Sequence, residues 1–134
     1  MVDFSTIPLT PARRSDNLVH ISGQLGFVGP GRLIEGGIAA QTRQTLENIR
    51  TILRKAGGDL GDVVKTTVWL TDKSNFSPFN EAYAAVFDGC ELPARSTVVT
   101  GLLIDGALVE IEALAHLPLA APPSLPAGSD DPAA

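Results

Sequence analysis

The segment Asp62–Thr71 limits most sharply what this chain can fold into. It alternates and is rich in β-branched residues, the pattern of a strand. Val64, Thr66, Val68 and Leu70 share one of its faces, and Val63, Lys65, Thr67 and Trp69 share the other. Both faces are apolar enough to bury, and a strand buried on both sides needs a cover for each. The rest of the chain must supply that cover, or a second subunit must.

Two segments have helical periodicity. From about Ile38 to Ala56, Leu46, Ile49, Leu53 and Ala56 form one apolar stripe. Arg43, Glu47, Arg50 and Arg54 form a charged stripe beside it, with Glu47 placed to pair with Arg43 or Arg50. Arg54 and Lys55 fall in the last turn, and Gly57-Gly58 supplies a left-handed cap. The second helix covers about Ser77–Phe87, with Ser77 as its cap and Pro78 in the first turn. Phe79, Ala82, Tyr83, Val86 and Phe87 make its apolar stripe.

Four further strands complete the pattern. Leu18–Ser22 is followed by Gln24–Val28 as its partner, ended by the turn Gly29-Pro30-Gly31. Arg95–Thr100 and Leu108–His116 close the fold, joined by a turn containing Asp105-Gly106. Residues 1–16 read as irregular because of Pro8 and Pro11. The order β-β-α-β-α-β-β predicts an α+β fold, one mixed sheet covered on one face by two helices. Two helices cover only one face, so the other is expected to meet a second subunit.

A chain of 134 residues holds one domain with a real core. That domain is placed at 1–117. Residues 118–134 carry Pro118, Pro122, Pro123, Pro126 and Pro132 among Ala, Gly, Ser and Asp, and read as a flexible tail. A net charge of −5 and scattered Lys and Arg disfavour a nucleic-acid partner. Cys90 is alone and the histidines are His20 and His116, so neither a disulfide nor a multi-ligand metal site is expected. No stretch approaches a membrane span or a signal sequence, and a cytoplasmic location is the expectation.

The final strand carries the candidate chemistry. Val109, Ile111, Ala113 and Ala115 form an apolar side suited to lie under the helices. Leu108, Glu110, Glu112, Leu114 and His116 form the opposite side, a mixture unusual for a purely solvated face. Arg95, Thr97 and Val99 share one face of the preceding strand and are expected on that far side too, with the last two strands paired antiparallel. An arginine fork in a half-buried cleft grips a carboxylate with two parallel hydrogen bonds. A glutamate beside it holds a water or passes a proton. The structural alternative is an ion pair of Arg95 with Glu110 or Glu112 between subunits.

Several runs resemble the RidA/YjgF family of enamine/imine deaminases. They are Pro93-Ala94-Arg95-Ser96-Thr97-Val98, Val109-Glu110-Ile111-Glu112-Ala113, Ser22-Gly23-Gln24 and Gln41-Thr42-Arg43-Gln44-Thr45-Leu46-Glu47-Asn48-Ile49. Val64-Lys65-Thr66-Thr67-Val68 and Phe76, Asn80 and Tyr83 also fit. The resemblance implies a fold like that of bacterial chorismate mutase, a homotrimer with inter-subunit clefts, and no cofactor or metal. It implies hydrolysis of 2-aminoacrylate-type enamines and imines to 2-keto acids and ammonia. It makes Arg95 the substrate-carboxylate ligand and Glu110 the residue that positions water and moves protons. Ser22, Asn80 and Thr97 would line the cleft, Thr97 through its backbone. The chain departs from the family at Leu9, reached where many members carry an aromatic wall, and at Thr97, where the family has cysteine. The alternatives are a non-catalytic 2-keto acid binder and a protein-interaction module of the same fold. Glu112 is read as structural, Tyr83 and Trp69 as packing, Cys90 as having no role, and His20 and His116 as interior or interface residues.

Overall fold

The sheet places its longest strands at its centre. In a computed structural model describing residues 4–119, strands run at β1 (Ala12–Ser15), β2 (Leu18–Gln24), β3 (Phe27–Gly29), β4 (Arg32–Leu33), β5 (Val63–Leu70), β6 (Ala94–Val99) and β7 (Val109–His116). Helices occupy α1 (Gly37–Lys55) and α2 (Phe76–Val86). Five strands form one mixed sheet in the order β1-β2-β7-β5-β6, and β3 with β4 makes a separate two-stranded ribbon. Both helices lie on one face, as the element order predicts. Apart from Pro118 and Leu119, the expected tail lies outside the described residues. Among the described residues no helix is long and apolar enough to cross a membrane.

The helix reading holds at the level of side chains. Leu46, Ile49 and Leu53 of α1 are buried against the sheet together with Val19, Ile21, Ile111, Ala113 and Ala115. Arg50 pairs with Glu47, and Arg50 and Arg54 both reach Asp59 beyond the helix end. Gly57, at φ 91°, takes the left-handed cap position. Its N–H bonds the Arg54 carbonyl while that of Gly58 bonds the Leu53 carbonyl, which satisfies two orphan acceptors of the last turn. The start of α2 differs from expectation. A short helical turn over Lys73–Asn75, capped by Asp72 on the Ser74 N–H, feeds directly into Phe76, so Ser77 lies inside the helix and is not its cap.

Four strand expectations are corrected. Gln24–Val28 does not return along β2; Phe27–Gly29 instead pairs with Arg32–Leu33. Residues 12–15, expected to be irregular, add an edge strand antiparallel to β2. Three of its four residues are exposed, so it has no hydrophobic alternation to betray it. Val64 does not share a face with Thr66, Val68 and Leu70: a bulge between Val63 and Lys65 turns Val63 inward and leaves Val64 46% exposed. Finally, β6 does not pair with β7. It runs parallel to β5, at the sheet edge, and β7 lies between β2 and β5.

Candidate functional site

The strand order decides which residues can meet. Val68 of β5 stands opposite Ile111 of β7 and Thr97 of β6, while Trp69 stands opposite Glu110 and Val98. Residues directly opposite point to the same side of a sheet. Val68 and Ile111 are fully buried under the helices, so Arg95, Thr97 and Val99 lie on the helix side. Glu110 and Glu112 lie on the far side with Trp69 and Thr67. The expectation that Arg95, Thr97 and Val99 share the far face with the glutamates is therefore overturned, because β6 joins the sheet through β5 and not through β7.

Arg95 projects from the sheet edge against the first turns of α2. Its guanidinium carbon lies 4.9 Å from the Tyr83 ring centre, 5.3 Å from that of Phe79 and 5.8 Å from that of Phe76. Its Nη2 donates to Asn80 Oδ1 at 2.9 Å. Among the described residues no carboxylate is within ion-pair distance of it. The aromatic rings accept a cation on their faces, but they leave the two-pronged edge of the fork without an anion. The ion pair with Glu110 or Glu112 of the same chain is excluded by the sheet between them.

The ring cluster is itself fixed by the core. Tyr83 is buried between Phe79 and Phe87, with ring centres 5.4 and 4.7 Å away. Its hydroxyl shares a 2.7 Å hydrogen bond with the buried Thr66 hydroxyl of β5. Burial pushes its ionisation above the ordinary tyrosine range, against smaller opposing effects of the Thr66 bond and the Arg95 charge, so it stays a neutral platform. Tyr83 thus packs, as expected, and also supports the arginine. Asn80, one helical turn after Phe76, holds the guanidinium from the side. Two residues along β6, the Thr97 Oγ1 is buried and has no hydrogen-bond partner. A hollow of about 340 Å³ opens beside it, lined by Leu70, Lys73, Phe76, Thr97, Val98 and Val99.

The second cluster forms on the other face, where β2 bulges between Ile21 and Gln24 against β7. A side chain at Gly23 would collide with the Glu110 carboxylate, so glycine there leaves the room in which that carboxylate lies. Burial, and then repulsion from Glu112, push the Glu110 carboxyl above its ordinary range. Ser22 donates from Oγ to the Thr10 carbonyl at 2.6 Å and from its N–H to the Pro11 carbonyl at 3.0 Å. It ties the N-terminal segment, including the largely exposed Leu9, to the rim of this cluster. His20, Lys65, Thr67, Glu112 and Leu114 border a further shallow hollow on this side. His20 and His116 are exposed there, which removes the interior reading of them.

The five expected site residues therefore fall into two groups, Arg95, Asn80 and Thr97 against α2 and Glu110 with Ser22 on the opposite face. Sequence reasoning missed Gly23, whose only signal is a glycine inside a strand pattern, and the platform role of Phe76 and Phe79. No group of three or more metal-ligating side chains occurs among the described residues.

The sequence and the fold have counterparts. A family model described as Endoribonuclease L-PSP matches residues 4–117. The mouse protein named 2-iminobutanoate/2-iminopropanoate deaminase is 42% identical over 109 residues, which span 81% of this chain and 80% of that one. The crystal structure of YyfA from Yersinia pestis, titled as a protein of unknown function of the conserved Rid family, superposes with a TM-score of 0.77 at 42% identity, covering 83% of this chain and 89% of that one. That of E. coli TdcF with bound serine gives 0.76 at 33% identity, covering 81% and 87%. By sequence and by fold, this chain belongs to the Endoribonuclease L-PSP family, the RidA/YjgF proteins.

Proposed function

We propose that this protein hydrolyses reactive 2-imino acids and their enamine tautomers, 2-aminoacrylate among them, to 2-keto acids and ammonia, in clefts shared between copies of a homotrimer. The observation that carries the reading is Arg95: a guanidinium held on three aromatic rings and by one amide oxygen, with no carboxylate within ion-pair distance among the described residues. Such a group binds a small anion, and a fork matches a carboxylate. The relatives named as imine deaminases and the serine bound by TdcF support an amino-acid-like ligand. A single embedded fork in a chain of net charge −5 suits one carboxylate better than an RNA backbone.

The shared cleft follows from the two faces. Arg95 and Glu110 are two strands and about three residues apart in register, roughly 10 Å in each direction, with the sheet between them. One small substrate cannot touch both in the same chain. It can touch Arg95 of one copy and Glu110 of a neighbour, and the far face with Leu18, Trp69, Val98 and Leu114 offers apolar surface for the contact.

Arg95, steadied by Asn80, fixes the substrate carboxylate. Glu110 of the neighbour, its proton affinity raised by burial, gives a proton to the methylene carbon of 2-aminoacrylate and so forms the protonated imine. As carboxylate it then takes a proton from the water that adds to C2. The carbinolamine collapses with that proton delivered to nitrogen and its hydroxyl proton returned to the Glu110 carboxylate; ammonia leaves, C2 becomes the keto carbon and Glu110 is protonated again. Thr97 and Ser22 line the two sides, Thr97 with its backbone groups toward substrate or water. The imine carbon is already electrophilic, so orientation and one proton carrier suffice.

Ammonia release from 2-aminoacrylate generated in situ tests the activity. Mixing tests the cleft. Arg95→Ala and Glu110→Gln proteins, each inactive alone, are co-unfolded and refolded together. Random trimers then contain intact clefts with a frequency of about one quarter, and about that fraction of wild-type activity returns. No recovery at any mixing ratio removes the shared cleft. Absence of acceleration by the wild type, with 2-keto acids still raising its melting temperature, replaces hydrolysis by binding.

A further inference from the structure

A proton carrier must stand at one place, and Glu110 stands where β7 has lost a neighbour. Strand β2 pairs with β7 only as far as Gln24, opposite Ile111. Beyond Gln24 the chain turns away into the β3–β4 ribbon. Val109 and Glu110 therefore keep Leu70 and Trp69 of β5 opposite them but have no partner in β2. A strand end held on one side opens readily unless something else fixes it. Helix α1 supplies that constraint through two amides set two turns apart on one face. Gln41 is buried, and its Oε1 accepts the Leu108 N–H at 2.8 Å while its Nε2 donates to the Gly106 carbonyl at 3.0 Å. Asn48 Nδ2 donates to the Leu25 and Phe27 carbonyls at 2.9 Å each, and its Oδ1 accepts from Gln44 Nε2 at 2.9 Å. Gly26 lies so close to the helix that an added Cβ would sit 3.1 Å from the Gln41 Cα. One helix thus holds both lips of the gap between β2 and β7, beside which the Glu110 carboxylate lies against Gly23.

We infer, on the basis of the imine-hydrolase reading above, that Gln41 and Asn48 are positioning residues for Glu110, fixing the start of β7 and the departure of β2 and through them the place of the carboxylate that moves protons. Neither side chain needs to touch substrate. An apolar side chain of the same size fills the space at Gln41 but leaves the Leu108 N–H and the Gly106 carbonyl without the bonds they now make. Leu108 is two residues from Glu110, about 7 Å along the strand. A misplacement of about 1 Å at a reacting group lowers a rate by up to about a hundredfold. A carboxylate released from its place against Gly23 also meets more water, which weakens the burial that raises its proton affinity. The Arg95 grip lies on the opposite face of the sheet and is held by other residues, so substrate capture is independent of both amides.

The test uses Gln41→Met, Asn48→Leu and Gln41→Glu in the full chain, the last keeping an acceptor for the Leu108 N–H without the donor. Three quantities are read on the same samples: kcat and KM for 2-aminoacrylate generated in situ, the melting temperature, and the titration of the Glu110 carboxyl by carbon-13 NMR, assigned with Glu110→Gln. In Gln41→Met and Asn48→Leu, kcat should fall by about tenfold or more with KM within about twofold of wild type, at temperatures where both are folded. The Glu110 titration should move to lower pH, toward the ordinary carboxylate range, and Gln41→Glu should regain part of kcat. A structural role alone moves neither the titration nor the kcat of folded protein. Should Gln41→Met fail to fold, Gln41→Glu and Asn48→Leu carry the same readouts. A kcat within about threefold of wild type with the titration unmoved overturns the inference, as does a loss that follows the unfolded fraction or falls on KM alone. If the wild type accelerates no imine, the hydrolase reading fails, while the Glu110 titration in the variants still decides whether the amides hold that carboxyl in place.

Discussion

Replacing Arg95 by alanine separates its role toward a ligand from its role in the fold. Toward a carboxylate, the fork makes two charge-assisted hydrogen bonds of about 1.5–3 kcal/mol each. Water at the vacated position recovers part of this, leaving a loss of about 3–5 kcal/mol, or between two and four powers of ten in kcat/KM. Within the fold, the guanidinium lies 4.9, 5.3 and 5.8 Å from three ring centres, worth together about 1–2 kcal/mol. Its bond to Asn80 adds about 1 kcal/mol. Against this stands the cost of half-burying a cation that has no carboxylate partner among the described residues, which is of similar size. The net change in stability is about 1 kcal/mol or less, a shift of only a few degrees in melting temperature. Arg95→Lys keeps the charge without the planar fork, so it should recover only a small part of the activity. The assay is initial-rate ammonia release with calorimetry on the same samples. A folded Arg95→Ala protein with kcat/KM within about threefold of wild type refutes the argument. So does unfolding in step with the activity loss, which makes the arginine a strut.

Four further outcomes follow from named contacts. Glu110 has its carboxyl pushed above its ordinary range by burial and by Glu112. The folded protein therefore holds that proton more tightly than the unfolded chain. Stability from this group is greatest below the unfolded value and falls as pH rises through the folded one. Glu110→Gln should accordingly resist urea better than wild type near pH 7, with the difference closing toward pH 4, while Glu112→Gln should move the limb of the activity profile that Glu110 governs to lower pH. Gly23→Ala should displace the Glu110 carboxylate, lowering kcat by about tenfold or more with little change in melting temperature, because a flexible side chain is what must yield. Tyr83→Phe leaves the buried Thr66 hydroxyl without its 2.7 Å partner and should cost about 1–3 kcal/mol in denaturant unfolding. Adding Thr66→Val should return much of that, and a fully additive double variant contradicts the pairing.

Periodicity reached the helices because both requirements of a surface helix are local. In α1 the buried Leu46, Ile49 and Leu53 and the ion-paired Glu47 and Arg50 lie within a few residues of each other, so one window of sequence contains the whole argument. The alternation of β7 was equally legible, with Val109, Ile111, Ala113 and Ala115 buried as their spacing required. The candidate residues were legible as types: an arginine in a mixed strand and a glutamate pair on the less apolar face of the last one. Their grouping was not. Period-2 counting says which residues of a strand share a side, but neither which side nor which strand lies next door.

That division is physical. The chain's own letters specified two helices, the inward face of β7, the glycine cap at Gly57 and the residue types able to bind an anion and carry a proton, since each depends on neighbours a few positions away. Tertiary structure alone decided that β6 lies parallel to β5, that a bulge reverses Val63 and Val64, and that Arg95 and Glu110 stand on opposite faces. Strand pairing joins residues far apart in the chain, and one inserted residue inverts every side chain beyond it.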